Sequence, residues 1–189
     1  MKSFHDQLIS FFDGFHRLEL TNPEFTRAAV LVPIFEEDGN PHFLLTKRTE
    51  DVEHHKGQIS FPGGAVDKID QDIVATALRE TEEEIGLIRD DVEIIGIFND
   101  ITIPTGFVVT PVVGYLSSLP SFKLSRNEVE SVIEVPFSFF REPKNKRIVN
   151  MVRDGKPRAV YFFRFEEHEI WGATAFIIES LLNQLPPAF

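Results

Sequence analysis

Residues 63–87, GGAVDKIDQDIVATALRETEEEIGL, hold the pattern that most restricts how this chain can fold. Between residues 72 and 85, side chains recur with the period of an α-helix, so that one stripe should face a core. That stripe consists of Val74, Leu78, Thr81 and Ile85. Asp70 or Asp72 can cap the first turn, and Gly86 stands where helices commonly end. The segment therefore predicts one amphipathic helix with defined ends.

Three carboxylates lie on the helix face beside that stripe. Glu80, Glu83 and Glu84 spread over roughly 100° of the surface, and Arg79 lies one turn before Glu83, where it can pair with it. Like charges one turn apart destabilise a helix, and its C-terminal end is the less favourable one for negative charge. A hard divalent cation, Mg²⁺ or Mn²⁺, would offset both costs. The alternative is a solvated acidic face without a ligand.

Strands are predicted on both sides of this helix. The periodic apolar segments predict strands at residues 28–35, 43–48, 92–99, 108–116, 130–135 and 158–165. Further helices are predicted near the N-terminus and at residues 172–185, whereas residues 101–106, with Pro104 and Gly106, are predicted to form a loop. The order of elements is typical of an α/β or α+β layered domain. We expect an N-terminal helical extension, residues 1–25, and one domain, residues 26–189.

Composition excludes several classes of protein. The 189 residues carry a formal net charge of −11, which argues against a nucleic-acid-binding protein. There is no cysteine, so disulfides, thiol catalysis and cysteine-ligated zinc are excluded. The N-terminal residues lack the apolar run of a signal peptide, and no stretch has the length of a transmembrane helix. We therefore expect a cytoplasmic protein with no membrane partner; the sequence leaves the oligomeric state open, a homodimer being one possibility.

The acidic helix and the loop before it resemble the Nudix box. In that motif a Gly is followed by an acid and then by Arg-Glu-apolar-x-Glu-Glu-x-Gly-apolar, and here Arg79, Glu80, Glu83, Glu84 and Gly86 match. Three positions depart from it: the intermediate acid is Asp70, its spacing to Arg79 is one residue longer, and Thr81 replaces an aliphatic residue. The resemblance implies a mixed β-sheet sandwiched between helices (α/β/α) and a metal-dependent hydrolase that cleaves diphosphate bonds.

Residues 44–64, LLTKRTEDVEHHKGQISFPGG, are similar to the signature of the coenzyme A diphosphatase branch of the Nudix hydrolases. The matching positions are Leu44, Leu45, Thr46, Arg48, Gly57, Phe61, Pro62, Gly63 and Gly64. Glu53 stands where that branch has a basic residue. Residues 104–115 and 170–178 also resemble this branch. The resemblance implies hydrolysis of coenzyme A to 3′,5′-ADP and 4′-phosphopantetheine, with ADP-ribose or another nucleoside diphosphate derivative as the alternative substrate.

The resemblance also implies roles for individual residues. Glu80, Glu83 and Glu84, with the carbonyl group of Gly63, are implied to hold Mg²⁺ or Mn²⁺. Glu128 is a candidate general base or further ligand, with Glu130 behind it. Arg79 is counted with the catalytic residues. The implied substrate-binding residues are Lys47, Arg48, Phe61, Gly63 and Gly64.

Several alternatives stay open. Lys47 and Arg48 could be surface cations, and Trp171 could either stack on a base or fill the core. His54 and His55 are expected to be exposed. A Nudix-fold module that binds a ligand without cleaving it is the alternative of another class.

Overall fold

The computed structural model describes residues 3–50, 56–153 and 156–186, and within these ranges the chain forms four α-helices and eleven β-strands. In chain order they are α1 (Phe4–Asp13), β1 (Thr26–Glu37), β2 (Asn40–Arg48), β3 (Ile59–Ser60), β4 (Gly63–Ala65), α2 (Ile73–Ile85), β5 (Glu93–Ile97), β6 (Ile101–Ile103), β7 (Phe107–Leu116), β8 (Val129–Pro136), α3 (Phe137–Arg141), β9 (Lys146–Arg153), β10 (Lys156–Phe165), β11 (His168–Trp171) and α4 (Gly172–Gln184). Two 3₁₀ helices, Arg89–Asp91 and Pro143–Asn145, connect some of them.

The larger sheet is mixed and has β1 near its centre. Its strands run in the order β3-β2-β1-β7-β5, with β4 paired to β1, β6 to β7 and β8 to β2. β1 and β7 are parallel along their length, whereas the other pairs are antiparallel. The smaller sheet is antiparallel, in the order β11-β10-β9.

Helices cover both faces of the larger sheet. On one face, α2 packs through Leu78 and Ile85 against Leu31 and Leu44 of the two central strands. On the opposite face, apolar residues of α1, α3, α4 and the smaller sheet form a second cluster. This cluster contains Leu8, Phe43, Phe137, Phe163 and Ile178. The predicted architecture, a mixed β-sheet sandwiched between helices, is confirmed.

The predicted acidic helix is also confirmed, as α2, Ile73–Ile85. The Asp72 side chain accepts a hydrogen bond from the Ala75 backbone at 2.7 Å, which satisfies a donor of the first turn. Gly86 ends the helix with φ 72°, a left-handed conformation in which glycine has no steric penalty, and its N–H bonds to the Glu82 carbonyl.

The loop prediction for residues 101–106 was wrong in its first half. β6, Ile101–Ile103, pairs with β7, and only residues 104–106 form the turn. Pro104 and Gly106 correctly predicted the turn. The predicted loop also included residues 101–103, which form a short strand paired with β7 on the other side of the turn. β4, β9, β11 and α3 were not predicted.

The connection between α1 and β1 is tied to the sheet by one buried carboxylate. Asp100, whose side chain is fully buried, accepts hydrogen bonds from Leu20 N–H, Arg17, Arg27 and Thr110 at 2.7–2.9 Å. Burial acts to raise the pKa of Asp100, but these hydrogen bonds outweigh it, so the pKa is lowered below its ordinary value. The division of the chain at residue 25 stays a prediction.

Among the helices that the structure describes, none combines the length and the apolar character needed to cross a membrane.

Candidate active site

β4 lies between the end of α2 and β1, and its glycines allow an unusually close approach. β4 pairs antiparallel with residues 28–30 of β1. A Cβ atom on Gly63, which has φ 152°, would collide with the backbone of Ala29 and Val30. A Cβ on Gly64 would lie 2.7 Å from Glu80 Oε1 and closer still to Oε2. Only glycine at position 64 therefore lets the Glu80 carboxylate rest against the backbone of the loop.

Glu84 is the buried carboxylate of this site, with 3% of its surface exposed. Its Oε1 lies 3.4 Å from Arg48 Nη1, whereas Oε2 has no hydrogen-bond partner in the described part of the chain. Burial raises the pKa of Glu84 to about 8, although Arg48 and the Gly63 N–H act in the opposite direction. The negative charges of Glu128 and Glu80 raise it further. Glu84 thus offers an unsatisfied acceptor where negative charge needs compensation.

Arg79 links Glu80 and Glu83, the other two predicted cation ligands of α2. Its Nη1 lies 2.8 Å from Glu80 and 3.3 Å from Glu83, whose side chain is 61% exposed. The predicted pairing of Arg79 with Glu83 is therefore present, together with one to Glu80. Burial is the main effect that raises the pKa of Glu80, and Arg79 opposes it.

Asp70 holds Arg79 in this position, a role that the sequence did not indicate. Its side chain, 3% exposed, accepts hydrogen bonds from Arg79 Nε at 2.9 Å and Nη2 at 3.1 Å. Thr76 Oγ1 and Asp67 N–H also donate to it, each at 2.8 Å. The Arg79 hydrogen bonds lower the pKa of Asp70 below its ordinary value. The signal that could have revealed this role was its position in the box, between the glycine and the arginine.

Glu128 reaches the site through backbone hydrogen bonds on both sides of its loop. Ser125 N–H donates to the Glu84 carbonyl at 2.8 Å, and Thr49 N–H donates to the Glu128 carbonyl at 2.9 Å. Thr49 Oγ1 also donates to the Asn127 carbonyl, at 3.0 Å. The loop is thereby joined to the end of α2 and to the residue after β2. The Glu128 side chain itself is exposed, and its charge acts on both Glu80 and Glu84.

Lys47 and Arg48, at the end of β2, lie on opposite faces of the sheet. Side chains alternate along a strand, and Leu44 packs under α2 whereas Phe43 and Leu45 face the opposite layer. Arg48 accordingly points to the α2 carboxylates. Its Nε is buried without a partner among the described residues. Lys47 lies on the other side, where its Nζ is 2.7 Å from Glu130, and this hydrogen bond is the main reason that the pKa of Lys47 is raised. The structure therefore brings Arg48, but not Lys47, to the carboxylates.

The remaining predicted residues lie apart from the carboxylates or outside the described ranges. Phe61 is 3% exposed and packs edge-on against Phe43, so its ring supports the loop from the core side and does not face a substrate. Trp171 is 39% exposed, not buried in the core. The positions of Glu53, His54 and His55 fall outside the described residues.

The residues present fit a divalent cation, although they do not yet surround one. Across the described ranges, no three acidic or histidine side chains converge on one point. The glutamates have different partners, because Glu80 and Glu83 pair with Arg79 whereas Glu84 lies beside Arg48. The unpartnered Glu84 Oε2, the Glu80 carboxylate against Gly64 and the oxygen-only donor set are nevertheless what Mg²⁺ or Mn²⁺ prefers.

The fold, and the position of α2 against its glycine loop, define one class of protein. Comparison with known proteins identifies this class. The family model of the NUDIX domain matches residues 25–169. The chain is 39% identical over 158 residues to the uncharacterized Nudix hydrolase NudL of Photorhabdus laumondii, covering 84% of each chain. It is 37% identical over 180 residues to the protein of the same name from an Enterobacter species, covering 92% of this chain and 93% of the relative. The chain therefore belongs to the Nudix hydrolase family, whose members generally use divalent metal cations.

A solved structure supports the fold. The MutT/nudix family protein from Enterococcus faecalis matches with a TM-score of 0.53 over 97% of this chain and 69% of that chain, at 16% identity. At this identity the likeness shows the fold alone.

Proposed function

We propose that this Nudix hydrolase cleaves the diphosphate of coenzyme A, or of a derivative, to 3′,5′-ADP and 4′-phosphopantetheine in a reaction that requires Mg²⁺ or Mn²⁺. The observation that carries the proposal is a pair of unsatisfied groups in one place. Glu84 Oε2 is a buried acceptor without a partner, and Arg48 Nε is a buried donor without one, within the described ranges. A cation on the first and a phosphate on the second would satisfy both.

The proposed cation ligands are Glu84, Glu80 and the Gly63 carbonyl, with Glu83 joining them once it leaves Arg79. A cation bound there neutralises the charge of the two phosphates and lowers the pKa of water. Glu84 needs the positive charge most, because burial disfavours its ionised form. Filling this site would also reduce the repulsion between Glu84 and Glu80.

The remaining side chains have separate tasks in the proposed reaction. Arg48 binds a phosphate oxygen through its free donor, and Gly64 allows the substrate and Glu80 to approach the same stretch of backbone. Water attacks one phosphorus, the bridging P–O bond breaks, and the other phosphate leaves with the electron pair. Glu128, which is exposed and close enough to act on the pKa of Glu80 and Glu84, accepts the proton of the water. Alignment and charge compensation are then the main sources of rate.

Coenzyme A is proposed as the substrate because of the signature in residues 44–64. Three of its positions, Arg48, Gly63 and Gly64, lie next to the α2 carboxylates. Its Phe61 packs inside the loop and supports it. A part of this signature thus lies beside the proposed cation ligands.

The test is product analysis with a matched inactive variant. The protein is incubated with coenzyme A, ADP-ribose, NADH or a dinucleoside polyphosphate, with Mg²⁺ or Mn²⁺, and products are identified by mass. We expect 3′,5′-ADP and 4′-phosphopantetheine from coenzyme A at the highest kcat/KM, and loss of turnover in Glu84→Gln without loss of fold. Preferred cleavage of another substrate would refute the coenzyme A assignment. No product from any of them, or near-normal activity of Glu84→Gln, would refute the catalytic assignment.

A further inference from the structure

The outer face of the smaller sheet carries a row of stacked side chains. Arg147, Phe162 and Trp171 are direct cross-strand neighbours on β9, β10 and β11 and are called the stacked row below. The rings of Phe162 and Trp171 are parallel to within 5°, with centroids 5.9 Å apart, and the Arg147 guanidinium lies 4.2 Å from the Phe162 centroid. Their strand neighbours Phe163 and Ile170 are fully buried on the opposite face, so the row points outward.

The end of the row at Trp171 is open. β11 is an edge strand of its sheet, and Trp171, the single tryptophan of the chain, is 39% exposed. Among the described residues, Phe162 is the one aromatic ring that stacks on Trp171. A tryptophan held rigidly by stacking, with part of its surface in water, is suited to contact with another planar ring.

A pocket of about 310 Å³ lies beside the row, over Phe162. Its lining consists of Lys144, Asn145, Lys146, Arg147, Phe162, Arg164 and Glu169. Four of these seven residues are cations and one is an acid, in a chain whose net charge is −11. This local excess is therefore opposite to the charge of the molecule as a whole, and it attracts anions.

The cations of the pocket differ in how far they are already neutralised. Lys146 is paired with Glu179 at 2.7 Å, and Arg147 with Glu169 at 3.3 Å. The exposed Lys144 lies 4.0 Å from Glu142, the longest of these three contacts. The exposed Arg164 has no acidic partner within 4 Å in the described part of the chain. Its donors are therefore available to an incoming anion, and the planar guanidinium suits phosphate oxygens.

We propose that the stacked row and this pocket bind a phosphorylated nucleoside. The base stacks on the exposed surface of Trp171, which Phe162 supports from the other side, and the phosphate contacts Arg164 and Lys144. Aromatic rings next to phosphate-binding cations form the usual combination for binding single nucleotides, since every base has a π-face. The small pocket and the overall negative charge of the chain favour a mononucleotide over a nucleic acid. None of these residues belongs to the candidate active site, so the proposal does not depend on which diphosphate that site cleaves.

Trp171 allows the proposal to be tested directly, because all tryptophan emission comes from this one residue. The full chain in EDTA, where no turnover occurs, is titrated with AMP, adenosine 3′,5′-bisphosphate, adenosine or inorganic phosphate while Trp171 fluorescence is recorded. Calorimetry in parallel detects complexes that do not change the emission. We expect saturable binding of both nucleotides, with adenosine and phosphate each at least about tenfold weaker, since each retains one of the two contacts.

Three variants assign the binding to this face. Arg164→Gln and Phe162→Leu should each weaken nucleotide binding about tenfold, the first by loss of a charged hydrogen bond and the second by loss of the ring that holds Trp171 in place. Arg158→Gln is the matched control, because it removes the same charge from the same strand at a position outside the pocket lining. Binding by Arg158→Gln should stay within twofold of the unmodified protein.

The proposal is overturned if no nucleotide binds in the millimolar range, or if inorganic phosphate or a hexaglutamate peptide binds as well as AMP. Unchanged binding by Arg164→Gln would also overturn it, because the nucleotide would then occupy another place. Arg164 is exposed, so this variant remains informative even if Phe162→Leu disturbs the sheet. Since the titration measures binding without turnover, its failure is distinct from failure of the proposed coenzyme A hydrolysis.

Discussion

Replacing Asp70 by Asn removes the anchor of Arg79 while changing almost no volume. The buried Asp70 carboxylate accepts two hydrogen bonds from Arg79, one from Thr76 and one from the Asp67 backbone. In Asp70→Asn one oxygen becomes an NH₂ group, which donates and cannot accept. At least one of these donors is then left without an acceptor, and the ion pair with Arg79 is lost.

The expected loss of stability follows from these bonds. A hydrogen bond to a charged group contributes about 1.5–3 kcal/mol to stability. The Asn side chain can still make some of the four hydrogen bonds, so we expect the free energy of unfolding to fall by about 3 kcal/mol. For a chain of this length, 1 kcal/mol corresponds to about 2–4 °C, so Tm should fall by about 6–12 °C. Because Arg79 lowers the pKa of Asp70, the carboxylate stabilises the fold above its unfolded-state pKa of about 4, and this contribution is lost as pH falls further. The difference in stability between Asp70→Asn and the unmodified protein should therefore be largest at pH 7 and should shrink below about pH 4.

Thermal unfolding at pH 7 and at acid pH, together with turnover assays, tests this reasoning. Turnover should fall about 10- to 100-fold, as is common when a partner that orients metal ligands is removed. Asp72→Asn is the matched control, because it makes the same chemical change two residues away, at a helix cap where Asn and Asp are equivalent. A Tm loss no larger than that of the control, or one independent of pH, would refute the assigned role of Asp70.

Three further outcomes are expected. Asp100→Asn should destabilise the fold by about 3–5 kcal/mol in urea unfolding, since it leaves two arginines facing a neutral group, and the difference should narrow below about pH 4, because the pKa of Asp100 is lowered. Millimolar Mg²⁺ should raise the Tm of the unmodified protein, because a cation that binds only the folded state stabilises it, and should not raise the Tm of Glu84→Gln. Equal increases in Tm in the two proteins would count against Glu84 as a ligand. Gly64→Ala should lower turnover at least about tenfold with little change in Tm, because the new methyl group displaces the flexible Glu80 carboxylate and no backbone; undiminished turnover would contradict this placement.

The local parts of this structure could be predicted from the sequence. α2 was predicted within one residue because its apolar stripe, the Asp72 cap and Gly86 are all encoded within one segment. β9 and β11 were missed because their pairing partner, β10, is what makes them strands, and β9 mixes basic and apolar residues without clear alternation.

The candidate site was predictable in composition but not in arrangement. The spacing of Glu80, Glu83 and Glu84 identified the carboxylates, but burial of Glu84 depends on the sheet beneath the helix. Adjacent cations in β2 could not be assigned to faces before the packing of Leu44 was known. For Asp70 the sequence suggested only a possible helix cap, because its partner, Arg79, lies nine residues away within α2.

Manganese binding is the most direct test of the central claim, that the buried Glu84 carboxylate holds a divalent cation. Free Mn²⁺ gives an electron paramagnetic resonance signal that decreases on binding, so the unmodified protein and Glu84→Gln can be titrated under identical conditions. We predict that the unmodified protein binds Mn²⁺ and that Glu84→Gln, with an unreduced Tm in EDTA, binds it at least about tenfold more weakly, as expected when a charged ligand becomes neutral. Equal Mn²⁺ affinity in the two proteins would contradict the claim.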